Sequence, residues 1–271
     1  MILTDTIGQV RSFRMARDFM GRGLYFTAAY LVDGLMVDTG CSYTVSELVE
    51  RVADSPPEVI VNTHSHEDHV AANAALLARF GAEIMAHPLA LPVLRYPRAQ
   101  NLRPYQRVMW GYPAPSTALP VPDFVETADH CFNVIHTPGH SPDHVCLFEP
   151  HQGWLFVGDA YVGGRDRALR ADYNIWDIIA SLQKLLSLQP QTLFPGSGNV
   201  RTNAAPALRE KIDYLQETGY AVLRLRNRGW GLRRIRRKLF GPEMPIAYLT
   251  LGHFSGRNLL RSYVEDAPSG P

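Results

Sequence analysis

Six consecutive residues, His64-Ser65-His66-Glu67-Asp68-His69, constrain this chain more than any other feature. Four of the six, His64, His66, Asp68 and His69, are the candidate metal ligands, and they come shortly after an apolar, β-like run, Val59-Ile60-Val61. On extended backbone, side chains two residues apart point to the same side, so His64 and His66 address one point. Asp68 and His69 fall where the chain turns into an Ala/Leu-rich helix and address a second point nearby. Imidazole and carboxylate together suit zinc, iron, manganese or nickel. A polar strand-to-helix turn is the alternative, since histidine is a common surface residue. Three histidines and one aspartate in six positions weigh against it.

Further ligand-type residues stand at the ends of other apolar runs. Thr137-Pro138-Gly139-His140 follows Phe132–Ile135, and Gly158-Asp159-Ala160 follows Trp154–Val157. In each case a glycine beside the ligand-type residue lets the backbone turn tightly. On these residues the chain resembles the metallo-β-lactamase superfamily. Its HxHxDH motif corresponds to His64, His66, Asp68 and His69, its third-motif histidine to His140, and its bridging aspartate to Asp159. Tyr30 to Gly40 resembles the N-terminal β-hairpin of that family, and the likeness covers roughly residues 20 to 200. It implies a four-layer αββα sandwich with the metal site at an edge where strand ends converge. HxHxDH is a specific signal; the PGH or GDA triplet alone is a weak one.

One position departs from the pattern. Where the family usually carries a late histidine in a PGHG segment, this chain reads Phe194-Pro195-Gly196-Ser197-Gly198. A first metal at His64, His66 and His140 is unaffected. A second, at Asp68, His69 and Asp159, lacks one nitrogen ligand. Three arrangements answer this: water fills the place beside Ser197, His253 swings in as an extra ligand, or the protein works with one metal. The cofactor expectation is two zinc ions, with one or two iron or manganese ions as alternatives.

The resemblance implies hydrolysis by a metal-bound hydroxide, water held this way having its pKa lowered from about 15.7 to about 7. Asp68 is the expected proton acceptor and Asp159 the bridging ligand. Tyr161, two residues past Asp159, is a candidate to place its phenol beside a developing oxyanion, with a packed aromatic as the alternative. His144, four residues past His140, is expected to hydrogen-bond behind the ligands. The first choice of reaction is cleavage of a small ester, thioester or lactone, as in glyoxalase II and lactonase-like members. The alternatives are a phosphodiesterase or endoribonuclease-like hydrolase, and a catalytically impaired ligand-binding regulator, which Ser197 would explain.

With 271 residues and 46% hydrophobic content, the chain can bury a substantial core. It has no run of eighteen apolar residues and no basic-then-apolar N-terminus, so no membrane partner is expected and a cytoplasmic location is. Cys41, Cys131 and Cys146 show no metal-finger spacing and read as reduced thiols. Charge is uneven: residues 1–200 hold 14 basic and 20 acidic side chains, residues 201–271 hold 13 and 6. The basic block from Arg224 to Lys238 reads as a solvated helix face, docked on the acidic part or on a second subunit, more readily than as a nucleic-acid contact.

Strands and helices alternate as an α/β chain should. A hairpin is expected over 28–39, a helix over 42–53, a strand over 58–63, a helix over 68–80 and a strand over 82–86. Strands near 132–137, 144–149 and 153–158 precede a helix over 174–188 and a strand over 192–195. We therefore expect a catalytic domain over 1–200 and a helical C-terminal appendage over 201–271. Residues 88–122 hold eight prolines, four arginines and no acidic residue. They read as a lid-like insertion with one short helix. Its arginines favour an anionic small-molecule substrate, and its aromatics offer a surface for a homodimer.

Overall fold

The structure is a computed structural model and describes residues 1–266. The first half of the chain builds one mixed sheet. Strands β1 (Ile2–Ile7) and β2 (Val10–Met15) form a hairpin, and a short flap, β3 (Asp18–Phe19) with β4 (Arg22–Gly23), follows. Next come β5 (Thr27–Val32), β6 (Leu35–Val37), helix α1 (Val45–Arg51), β7 (Val59–Val61), helix α2 (Asn73–Phe80) and β8 (Glu83–Ala86). The insertion carries α3 (Leu91–Arg95) and α4 (Pro104–Met109) before β9 (Leu119–Pro120) closes the sheet, whose order is β1-β2-β5-β6-β7-β8-β9.

A second sheet, in the order β10-β11-β12-β13-β15, comes from β10 (Phe124–Glu126), β11 (Cys131–His136), β12 (Val145–Glu149), β13 (Trp154–Gly158) and β15 (Thr192–Pro195). The short β14 (Leu169–Arg170) and helix α5 (Ile175–Ser187) lie between the last two. Helices α6 (Ala204–Asn227), α7 (Leu232–Phe240) and α8 (Pro245–Leu249), strand β16 (Phe254–Ser255) and helix α9 (Gly256–Glu265) complete the chain.

Strand periodicity explains the layering. Central strands are buried on both faces, so they read as continuous apolar runs whose alternate residues serve two cores. In β5, Ala29 and Leu31 pack with Leu48 of α1 and Leu76 of α2, whereas Ala28, Tyr30 and Val32 face the other sheet. In β13, Trp154 and Phe156 meet that inter-sheet core, whereas Leu155 and Val157 face α5, α6 and α9. The result is an αββα sandwich with a C-terminal helical region. Among the described residues, no helix is long and apolar enough to cross a membrane.

Three segments differ from the expectation. The helix expected from residue 68 starts at Asn73. Backbone groups just before it are engaged across the loop instead: Thr27 Oγ1 donates to Asp68 O at 3.0 Å, Thr39 N–H to His69 O at 2.6 Å and Ala71 N–H to Gly40 O at 3.0 Å. Those bonds compete with the helical i→i+4 pattern. The insertion is more helical than its proline content suggested, because Pro88, Pro92, Pro97 and Pro104 occupy first-turn positions, where a missing N–H costs nothing. The two N-terminal strands offer no apolar run: β1 exposes most of its side chains at a sheet edge, and Arg11, Ser12 and Arg14 interrupt the apolar positions of β2.

Candidate metal centre

The ligand-type residues gather at one end of the two sheets. His64 follows β7, His140 sits in the turn between β11 and β12, and Asp159 follows β13. The turn before His140 is seated on helix α5: Asn174 caps that helix, its own N–H donates to Gly139 O at 3.0 Å, and a Cβ on Gly139 would lie 2.4 Å from Ile178 N. Only glycine fits there, at φ +127°. Behind the histidine-rich loop, Ser65 N–H donates to Asp143 Oδ2 at 2.9 Å. Gln106 of the insertion donates to Glu67 Oε1 at 2.9 Å.

Among the described residues, two sets of ligand atoms lie within 4.8 Å of one another: His64, His66 and His140, and His64, His69 and Asp159. In the first, His66 Nδ1 is 2.9 Å from both His64 Nε2 and His140 Nε2. Thr63 Oγ1 donates to Asp38 Oδ2 at 2.8 Å, so it accepts from His64 Nδ1–H at 3.0 Å, which leaves His64 Nε2 a bare lone pair. Burial first, with the neighbouring imidazoles and Arg170 adding to it, holds the pKa values of all three imidazoles well below the ordinary histidine range, in His140 against the opposing pull of Asp159. Three neutral rings that converge their nitrogens form a donor set suited to a divalent cation.

The second set makes the same argument from an orphaned atom. Asp38 Oδ2 accepts from His69 Nδ1–H at 2.8 Å and fixes the tautomer. His69 Nε2 is buried without a hydrogen-bond partner, 3.6 Å from Asp159 Oδ1 and 3.8 Å from Asp68 Oδ2. Burial alone would lower the His69 pKa, but the Asp38, Asp68 and Asp159 carboxylates raise it well above the ordinary value. A positive charge is therefore favoured at Nε2, and a metal ion between these groups meets the same demand. Asp159 is held below the usual carboxylate range: burial opposes this, but His69 beside it and His140 beyond outweigh burial. Its other oxygen, Oδ2, lies 3.6 Å from His140 Nε2, so the carboxylate spans both sets. Burial, Glu67 and Asp159 push Asp68 up to about 7, against the influence of His69.

Other sequence candidates fall in different places. His144 is buried, accepts from Asp159 N–H through Nε2 at 3.2 Å and donates from Nδ1 to Thr137 Oγ1 at 2.8 Å. Ser197 stays in its own turn, where Asn199 N–H donates to its Oγ at 3.5 Å. It is Gly196 that touches the site, since a Cβ there would lie 2.3 Å from Asp159 Oδ1. His253 belongs to neither ligand set; its Nδ1 shares a 2.8 Å hydrogen bond with Tyr105 Oη, which ties the insertion to the C-terminal region. Tyr161 packs into the core beneath α5 and α6 and lines an outer cleft with Arg201, not the cavity over the ligands.

The phenol near the ligands belongs to Tyr173, whose Oη is 3.2 Å from His140 Nε2. It lines a cavity of about 170 Å³ together with Tyr25, Tyr105, Trp110, Phe254 and Arg170. Arg170 donates from Nε to Asp172 Oδ1 at 2.8 Å and lies over the Tyr173 ring, 5.3 Å from its centroid. After burial, its charge is the largest influence lowering the His66 pKa. The four insertion arginines line no part of this cavity. Neither Tyr173 nor Arg170 was legible in the sequence, because the path of residues 160–174 is set by the pairing of β14 with β16, about eighty-five residues later.

Known proteins of one family are similar to this chain. The sequence profile described as the metallo-beta-lactamase superfamily matches residues 22–197. The hydroxyacylglutathione hydrolase of Rhizobium johnstonii is 33% identical over 152 residues, which cover 55% of this chain and 51% of that protein. The chain thus spans about half the length of that curated relative. A beta-lactamase domain protein from Burkholderia ambifaria superposes with a TM-score of 0.70 at 18% identity, over 97% of this chain and 88% of the other. A protein crystallised in a di-iron-bound form is 30% identical, with a TM-score of 0.52, over 69% of this chain and 94% of the other. The chain belongs to the metallo-β-lactamase superfamily.

Proposed function

We propose that this protein is a metal-dependent hydrolase that cleaves a small, anionic ester, thioester or lactone. The observation that carries the reading is the orphaned, buried His69 Nε2, aimed between two carboxylates beside three converging imidazoles. In this reading His64, His66 and His140 hold one metal, and Asp68, His69 and Asp159 hold a second. Two zinc ions are the first choice, and the di-iron-bound relative keeps iron in view. When bound, such ions supply a nucleophilic hydroxide at neutral pH and polarise the scissile carbonyl.

The side chains do the rest. Asp38 and His144 orient His69 and the Asp159 backbone from behind. Asp68 accepts a proton and passes it to the leaving group. The Tyr173 hydroxyl donates to the oxygen that gains negative charge, the role the sequence suggested for Tyr161. Arg170 receives a carboxylate on the substrate through the N–H groups that Asp172 does not use. The aromatic wall formed by Tyr25, Tyr105 and Trp110 shields the acyl group from water. The hydroxyacylglutathione hydrolase relative puts thioesters first among the three bond types.

The same proposal assigns catalysis to residues 1–200 and support to 201–271. Lys211 of α6 supports that division: it is buried, pairs with Asp166 at 2.7 Å and donates to Gly164 O at 3.0 Å, anchoring the loop that leads to Arg170. The test is hydrolysis of a carboxylate-bearing acyl thioester, a neutral ester and a lactone by zinc- or iron-loaded protein, with and without chelator. Chelator-sensitive turnover that favours the carboxylate-bearing thioester is expected. Absence of turnover on all three by fully loaded protein overturns the reading.

A further inference from the structure

The C-terminal helices carry a surface that the hydrolase reading does not use. Helix α7 buries Ile235 and half-buries Leu232, Leu239 and Phe240 against the core, which turns Arg233, Arg234, Arg237 and Lys238 to solvent. Among the described residues, no carboxylate comes within 4 Å of those four charges or of Arg257 at the start of α9; the neighbouring arginines that do pair are Arg236, with Glu243 at 3.3 Å, and Arg261, with Glu265 at 3.7 Å. Beside them, α8 and the turn after it expose Tyr248, Leu249 and Leu251 at 72%, 73% and 84%. A cleft lined by Arg233, Arg236, Glu243, Tyr248 and Arg257 brings Tyr248 beside two of the unpaired arginines, with the Arg236–Glu243 pair in the same lining.

Isolated exposed leucines need no explanation, but two of them next in the chain to a tyrosine that borders unpaired arginines form an amphiphilic patch. We propose that this face docks on an anionic lipid bilayer, with Tyr248, Leu249 and Leu251 entering the headgroup region and Arg233, Arg234, Arg237, Lys238 and Arg257 meeting the phosphates. Partly inserted apolar side chains together with several surface cations are the two signals that such reversible attachment requires. The expectation of no membrane partner rests on the lack of a spanning run, which does not bear on peripheral attachment of this kind. A second copy of the chain is a poorer occupant, because a two-fold contact through this patch would set its cations against themselves. A nucleic acid would use the cations and the tyrosine but leave Leu249 and Leu251 without a partner.

The experiment is co-sedimentation of the full chain with phosphatidylcholine vesicles, with or without phosphatidylglycerol, at low and at high salt. Binding is expected to the anionic vesicles only and to weaken with salt. Leu249→Ser/Leu251→Ser and Arg233→Glu/Arg237→Glu, each confirmed as folded by thermal melting, should each weaken it about tenfold or more. Equal pelleting with both vesicle types, or none with either, overturns the proposal. So does binding of single-stranded RNA that displaces the vesicles and is unaffected by the leucine substitutions, since that result would make the patch a nucleic-acid site.

Discussion

Asp38 Oδ2 stands 2.8 Å from His69 Nδ1, while the opposite nitrogen of the same ring points between Asp68 and Asp159. Asp38 is itself held by the Thr63 N–H and hydroxyl, both at 2.8 Å, and adopts a left-handed conformation at φ +60° to reach all three. Asp38→Ala should lower metal affinity at the second set, or activity, by about 10–100-fold. Metal titration followed by calorimetry checks this, and an unchanged affinity would contradict it.

Gly196 fills the space behind the second set. An added methyl would meet Asp159 Oδ1 at 2.3 Å and His69 Cε1 at 2.8 Å. Gly196→Ala should therefore release the second metal while the set of His64, His66 and His140 keeps the first. Elemental analysis of the variant reads this directly as the loss of one equivalent per chain. Retention of both would mean that the Asp159 loop yields more easily than its packing suggests.

The substrate's charge can be tested through Arg170. Arg170→Met removes a charge-assisted bond, so KM for a carboxylate-bearing substrate should rise by about 10–100-fold. The neutral analogue should hardly change, and kcat should stay close to that of the wild type for both. An equal effect on charged and neutral substrates would place the carboxylate elsewhere.

Acid should destabilise the metal-free protein. Burial lowers His144 to about 4 and holds His64, His66 and His140 well below the ordinary value of about 6.5. As pH falls below 6.5 the unfolded chain takes up these protons before the folded one does, so the stability present above pH 6.5 is lost as pH falls toward the lowered folded values, about 4 for His144. A histidine protonated in the unfolded chain and neutral in the folded one contributes a slope of at most about 1.4 kcal/mol per pH unit. Asp68, raised to about 7, and Glu67, also raised, act in the opposite direction but are outnumbered. His69, raised, is protonated in both states over this interval and drops out. Urea midpoints of chelated protein should fall from pH 6.5 to 4; a flat profile would contradict the burial of neutral imidazoles.

The fold was legible wherever its information is local. The apolar runs of β5, β7, β12 and β13 announce strands buried on both faces, and His64 to His69 place ligands by backbone alternation alone. What escaped depends on distant chain. Arg170 and Tyr173 reach the cavity only because β16 pairs with β14, and Tyr161 is turned into the core by the helices that follow it. The arginines of the insertion suggested where an anion would bind, but a sequence does not show which arginine faces a cavity. The absence of the late histidine drew attention to Ser197, whereas the contact with Asp159 belongs to the glycine before it.

The most direct test of the account is metal stoichiometry measured beside activity on the same sample. Purified, zinc-supplemented protein should hold two equivalents per chain, chelation should abolish thioester hydrolysis, and restored metal should restore it. Protein that holds no metal after supplementation, or that hydrolyses the thioester equally well without it, would contradict the central claim.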